Sequence, residues 1–404
     1  MKKNLLLAGL LVMGLGISMT SCNNDDVNDE NDNNIVGGGD TEQNDDQNID
    51  YTAENAAAWG NYAVNVAKLL YNDSEALYAA WKDGFAEAFK GHISSSGYKS
   101  ANDCVQQIIE GCIDIANEVG TAKIGEPYDF WKGGHTTQAV YAVESWYSWH
   151  SRDDYKNNIL SIANSMVGMR LEGNPNNFDY QSIIGNMDAT SSVIVECMKN
   201  NATRYAAINV WKGICAAWSA IDDIPQPFRN NIGSAETVEA MEACADLVQR
   251  LETLNGLISE NLSEEECQAI VDQFVDVVAV PTYAELVTKN KELLQAVQAL
   301  QATPSNNAFA TACAAWLEAR QPWETSEAFL FGPVSELGLD PNMDSWPLDA
   351  DGIANLLKSQ KWSDMEWSGE YDDENEAIEA AQSLRGFHTL EFLLFKDGEP
   401  RKVK

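Results

Sequence analysis

An all-α chain, built as two helical-bundle domains, is predicted by three features of the sequence. Apolar residues recur at spacings of three and four over most of the length, the period of one buried helix face. Long runs alternating apolar and polar residues, which a half-buried strand requires, are absent. Trp, Gly and Pro gather in a few short segments between the periodic stretches, where loops belong.

The periodic stretches, in order, are Ala53 to Leu70, Asp103 to Ala116, Asn158 to Met169, Ser191 to Trp218, Ala235 to Ile258 and Glu285 to Leu300. Ser151-Arg152-Asp153-Asp154 reads as an N-cap with an acidic third residue opening the third helix, which Gly173-Asn174-Pro175 then ends. Pro281 has no amide hydrogen and is expected to break or kink the run that starts near Glu264. That break sets the expected boundary between a first helical domain, 51–279, and a second, 280–404. Two irregular segments rich in Trp, Gly and Pro, from Ile124 to Trp149 and from Phe331 to Asp349, are packed by their own aromatic side chains. Such loops either build sites or cover bundle ends.

The chain opens with Met1-Lys2-Lys3, an apolar run from Leu5 to Ile17, and Ser18-Met19-Thr20-Ser21 before Cys22. A charged start, a short apolar core and small residues before a cysteine make residues 1–22 an export signal of the bacterial lipoprotein type, with Cys22 as the acylated anchor. The following stretch, 23–50, is rich in Asn, Asp, Glu and Gly, lacks Lys and Arg, and is expected to be a disordered acidic tether. The expected location is therefore the cell envelope, on the outer membrane through Cys22, facing the periplasm or the surface. Asn23-Asn24-Asp25-Asp26 resembles the acidic export tag of surface lipoproteins of the Bacteroidetes.

The formal charge is -36, from 26 basic and 62 acidic side chains. Binding to nucleic acid needs a positive patch, so this class is disfavoured; the charge suits a cationic ligand or a solvated surface. Of 8 cysteines, seven remain after Cys22, an odd number with no C-x-x-C spacing, and they read as small buried hydrophobes.

His388 and Glu391 stand three apart in Leu384-Arg385-Gly386-Phe387-His388-Thr389-Leu390-Glu391-Phe392-Leu393-Leu394-Phe395. On a helix this spacing lets imidazole and carboxylate converge on one ion or one proton, or simply on each other. A carboxylate among such apolar neighbours needs a partner. Further ligands are sought at Glu324 and Glu327, again three apart, with Arg320 one turn earlier to hold one carboxylate. Alternatively, these acids lie in the first turn of a helix after Pro322, where the dipole favours them regardless of function. Asp349 is a supporting residue or only the N-cap of the helix through Ile353. His150, near Glu144 and Ser145, is a minor candidate. No H-E-x-x-H, G-x-S-x-G, P-loop or dinucleotide fingerprint is present.

The residues from Trp316 through Arg320, Trp323-Glu324, Glu327, Phe329 to Pro333, Asp340-Pro341 and Trp346-Pro347-Leu348-Asp349, then Gly386, His388 and Glu391 in the pattern G-x-H-x-x-E, together resemble the imelysin family. Lys123 to Pro127 and Glu144-Ser145-Trp146-Tyr147-Ser148 with Ser151 are similar to the portion that usually comes second in that family, so the order resembles a circular permutation, which adjacent termini permit. The resemblance implies two helical domains with a site near their interface, built from His388, Glu391, Glu324 and Glu327 as metal ligands, with Arg320, Asp349, Gly386, Glu144 and Ser145 in support. It also implies metal binding, with iron or zinc as the ion, and a part in envelope iron uptake beside other uptake components. The alternatives are a metal-dependent peptidase using His388 and Glu391, since the family is also classed among metallopeptidases, and a protein- or peptide-binding module without metal.

Overall fold

The computed structural model describes residues 49–93, 96–178 and 190–403. The export signal, Cys22 and the tether up to residue 48 lie outside the described residues. Those residues are helical almost throughout, and the strands among them form one short antiparallel hairpin, Phe395–Lys396 with Glu399–Pro400. No helix among them is long and apolar enough to cross a membrane.

The long helices are α1 (Ala56–Ala80), α2 (Ala101–Glu118), α3 (Ser151–Val167), α4 (Arg204–Asp222), α5 (Ala235–Asn261), α6 (Glu264–Gln273), α7 (Val280–Ala302) and α8 (Asn306–Glu324). Shorter ones follow: α9 (Leu339–Asp344), α10 (Ala350–Ser359) and α11 (Gly386–Leu394). Many starts are set by side-chain caps. Ser100 accepts from the Asp103 amide at 3.0 Å to open α2, and Ser263 with Glu266 forms a reciprocal capping box for α6. In α2, Cys104, Val105, Ile108, Ile109, Cys112 and Ile115 form the buried stripe that the three-and-four spacing requires. Each aliphatic member contributes about 1.5–3 kcal/mol of burial. The seven cysteines of the described residues are all free thiols, six of them buried.

Helices α2 to α6 pack on one another, and α1, α7, α8, α9 and α11 form a second group. α1 lies within the span expected for the first domain, yet it packs on α7, α8's partner, and on α11 at the other end of the chain. The second bundle therefore draws helices from both ends of the sequence. The groups meet where α3 packs on α8 and where α2 meets the 3-10 turn Glu327–Phe329.

Pro281 does not break the chain. A π-helical stretch, Phe274–Ala279, joins α6 to α7, and the Val280 amide reaches back to the Val275 carbonyl. The wider turn reassigns the hydrogen bonds around the missing amide, so the helical run passes through the expected boundary at 279/280. The stretch from Ser191 to Trp218 is two helices, because Asn200–Thr203 interrupts it: the Thr203 hydroxyl donates to the Cys197 carbonyl at 2.6 Å. Ser151 begins α3 without capping it, and its hydroxyl is committed to the Glu144 carbonyl.

Candidate functional site

α11 begins at Gly386, whose φ is +94° and where a Cβ would stand 2.6 Å from the Met343 carbonyl oxygen. Only glycine lets the first turn of α11 close on the end of α9, which brings His388 beside Asp344. A comparable approach fixes Glu327. A Cβ on Gly111 of α2 would clash with the Ala328 carbonyl, and the Ala328 amide donates to Ser161 Oγ at 3.0 Å.

His388 is completely buried. Its Nδ1 lies 3.1 Å from Glu391 Oε2, while Nε2 lies 3.1 Å from Asp344 Oδ1 and 3.2 Å from Glu144 Oε1. The Trp346 ring packs edge-on at 4.8 Å between centroids. The other oxygen of Glu391 accepts from the amide of Ser148 at 2.7 Å and from its hydroxyl at 2.8 Å. Glu391 thus has both oxygens engaged, one fixing the ring and the other fixing itself to the loop before α3.

Arg320 occupies the centre with no exposed surface. Nη2 is 2.6 Å from Glu324 Oε1, 3.1 Å from Glu144 Oε1 and 3.4 Å from His388 Nε2; Nε is 3.5 Å from Asp154 Oδ2; and Nη1 pairs with Asp344. Lys123 supports Glu144 from the far side at 3.1 Å. Asp154 also accepts from Ser145 Oγ at 2.6 Å and touches His150 Nδ1 at 2.9 Å. Ser145 and Trp149 hold positive φ values of 52° and 61°, a conformation costing non-glycine residues of order 1–3 kcal/mol each. The loop that carries Glu144 and Ser148 into the site is therefore held by its surroundings.

Charge is unbalanced here. Glu144, Asp154, Glu324, Glu327, Asp344 and Glu391 make six buried carboxyl groups against three cationic groups, Lys123, Arg320 and His388. The excess divides the acids into two kinds. Burial opposes ionisation of Glu144, but Lys123, His388 and Arg320 outweigh it and hold this acid at about 2. Asp344 is likewise lowered against its burial by Arg320 and His388. Burial pushes Glu324 and Glu327 well above the usual carboxylate range, with Arg320 (for Glu324) and Lys123 (for Glu327) compensating only in part. Burial and Arg320 disfavour a charged His388, yet Asp344 and Glu144 outweigh both and raise it well above the ordinary imidazole value.

The structure brings His388, Glu391, Arg320, Glu324, Glu327, Glu144 and Ser145 together at the junction of the two helix groups. Asp349 lies apart: it is exposed and caps α10 by accepting from the Gly352 amide at 2.9 Å. Glu324 and Glu327 do not share the first turn of a helix after Pro322; Glu327 opens the separate 3-10 turn Glu327–Phe329. Pro322 lies inside α8, so Glu324 ends that helix, where the dipole disfavours an anion. Nothing in the sequence alone marks Asp344, Asp154, Lys123 or Ser148 as site residues. Asp344 stands in the Trp- and Pro-rich segment, and Asp154 has the position of an ordinary first-turn acid.

Two triads can each present one donor atom within 4.8 Å of the others: Glu144 with Asp344 and His388, and Glu324 with Glu327 and Asp344. The first has the chemistry of a cation site. Its nitrogen faces two carboxylates, and its ring is oriented from behind by a third, the arrangement that metal-ligating histidines use.

The sequence profile described as imelysin, peptidase M75, matches residues 32–254 and 279–404. A crystal structure of an imelysin peptidase from Bacteroides ovatus is 51% identical, superposes with a TM-score of 0.81, and is matched over 100% of its length by 89% of this chain. The iron-regulated protein A of Synechococcus elongatus is 35% identical over 130 residues, 32% of either chain, so the match spans about a third of that protein. An iron-regulated protein A precursor from Parabacteroides distasonis is 34% identical over 39% of this chain and 42% of its own, with a TM-score of 0.33. The G-x-H-x-x-E helix, the all-α fold and the profile match over most of the chain agree: this protein belongs to the imelysin family.

Proposed function

We propose that this chain is a cell-envelope lipoprotein, anchored in the outer membrane through Cys22, that binds iron and serves its uptake. The observation that carries the metal reading is His388, with Nε2 between Glu144 and Asp344 and Nδ1 locked by Glu391. On this reading His388, Glu144 and Asp344 hold the ion, Glu391 positions the imidazole, and Arg320 and Lys123 keep the carboxylates in place. A bound iron would supply positive charge where six acids exceed three cations, displacing the proton of His388. The iron-regulated protein of Synechococcus supports the choice of iron, and a nitrogen with two carboxylates suits that ion.

Anaerobic equilibrium dialysis of residues 49–404 against ferrous ion, followed by metal analysis, tests the proposal. Wild type retains iron and His388→Ala loses that of the His388 site; equal iron in both proteins removes His388 as a ligand. Radiolabelled palmitate incorporation, abolished by Cys22→Ser in the full chain, tests the anchor. In the peptidase alternative Glu391 would activate water, and the hydrogen bonds that Ser148 and His388 make to its two oxygens favour the positioning role instead.

A further inference from the structure

We propose that His150, in the wall of a surface cleft, is a positioning residue through which external pH sets how tightly the His388 site holds its cation. The inference rests on the metal reading above and adds to it a residue outside the ligand set.

Among the described residues a cleft of about 310 Å3 opens where α3, α4 and α8 meet, lined by His150, Asp153, Lys156, Trp218, Glu318 and Gln321. His150 keeps 24% of its side chain exposed, while its partner Asp154 has none. The ring Nδ1 lies 2.9 Å from Asp154 Oδ1, and Asp154 Oδ2 lies 3.5 Å from Arg320 Nε. Arg320 in turn pairs with Glu144 and Asp344, the two carboxylates assigned to the ion. Imidazole, carboxylate, guanidinium and ligand carboxylates thus form one chain of alternating charge from the cleft to the site. Every side chain after His150 is buried, so a charge at the outer end is poorly screened before it reaches the inner one.

The sign follows from Asp154. While His150 is charged, Asp154 is shared between two cations, and Arg320 turns its remaining charge on Glu144 and Asp344 in competition with an incoming ion. Once His150 loses its proton, Asp154 neutralises Arg320 alone and the ligand carboxylates are freer. Acid therefore loosens the site and base tightens it.

The groups facing His150 set where this change falls. Burial opposes its charge, as does Arg320 of α8, but Asp154 and Asp153 of α3 outweigh both and raise it above the ordinary 6.5. Two further charged groups line the cleft and are already paired. Lys156 lies 2.7 Å from Asp153 and 2.8 Å from Asp222 of α4, and Glu318 of α8 lies 3.2 Å from Lys289.

The test is the ferrous affinity of the full-length chain in detergent, by anaerobic equilibrium dialysis at steps from about pH 6 to about pH 8.5, for wild type, His150→Gln and His150→Lys. Protonation of His388 weakens binding at the acid end in all three, so the differences between them isolate position 150. His150→Gln can still donate to Asp154 and is never charged. It is expected to bind about 5–20-fold more tightly than wild type at the acid end and to match it at the alkaline end. His150→Lys stays charged throughout, so it should match wild type in acid and bind about 5–20-fold more weakly in base. Either variant suffices if the other melts early. Parallel curves, or a uniform loss in His150→Gln at every pH, overturn the inference and leave the His388 site standing. No iron in wild type at any pH overturns the metal reading and this inference with it.

Discussion

At the scale of the residue, the decisive feature is the division of labour among acids of one chemical type. Glu391 accepts three hydrogen bonds and orients the imidazole, so its support can be weakened without touching a proposed ligand. Ser148→Ala removes one charge-assisted bond to Glu391 and should cost about 1.5–3 kcal/mol in urea unfolding. It should also weaken ferrous binding by about 10–100-fold, the usual effect of losing an outer partner of a metal-bound histidine. Unchanged affinity would argue against that role for Glu391. Protonation gives a second prediction. Asp340, pushed up by burial and by Asp344 to about 7, is ordinarily near 3.8, so its contribution is present at low pH and is lost as pH rises through about 7. Burial moves Glu324 and Glu327 the same way. Glu144 runs in the opposite sense: its contribution is present above 4.5 and is lost as pH falls toward about 2. In the presence of a chelator the urea midpoint should therefore fall as pH rises from about 4.5 to about 7, and Asp340→Asn should flatten that slope.

At the scale of the element, Gly386 shows how a motif residue acts without chemistry of its own. Its positive φ and the 2.6 Å approach to Met343 mean that Gly386→Ala must displace either α11 or the end of α9. The expected cost is about 1–3 kcal/mol of backbone strain, with loss of iron binding because His388 and Asp344 separate. Thermal melting and dialysis together check this, and a variant that melts normally and binds iron would refute it. The helices themselves were legible in the sequence, since the apolar stripe of α2 or α5 is written at the period of one helix face. Three boundaries were not. A π-turn absorbed Pro281, a hydroxyl-to-carbonyl bond at Thr203 split one run in two, and Pro322 fell in the last turn of α8 rather than before a new helix. Each depends on which backbone groups find partners in three dimensions, which residue spacing does not encode.

At the scale of the whole molecule, the site's legibility followed sequence distance. His388 and Glu391 share one helix and were readable as a pair, whereas Asp344, Lys123 and Ser148 join them only because separate segments converge. The same convergence makes both ends of the folded region matter to its centre. Trp59 of α1 donates to the Leu393 carbonyl at 2.9 Å and Tyr62 donates to the Leu384 carbonyl at 2.7 Å, tying α1 to the last turn of α11 and to the segment just before it. From the C-terminal side, Arg401 donates to the Phe392 carbonyl at 2.8 Å and the Ile49 carbonyl at 3.1 Å, with its guanidinium over the rings of Trp59 and Phe392 at 4.9 and 5.0 Å. Arg401 therefore clamps α11 between the first and last described segments while touching none of the proposed ligands. Arg401→Ala leaves two carbonyls without this donor and exposes aromatic surface, so it should lower stability by about 2–5 kcal/mol. Because α11 carries His388, the clamp also opposes local opening of the site. Hydrogen exchange should accelerate across 386–394 in Arg401→Ala while α4 and α5, in the other packing group, keep their protection. Equal acceleration in both groups would instead mean that the two bundles unfold as one cooperative unit.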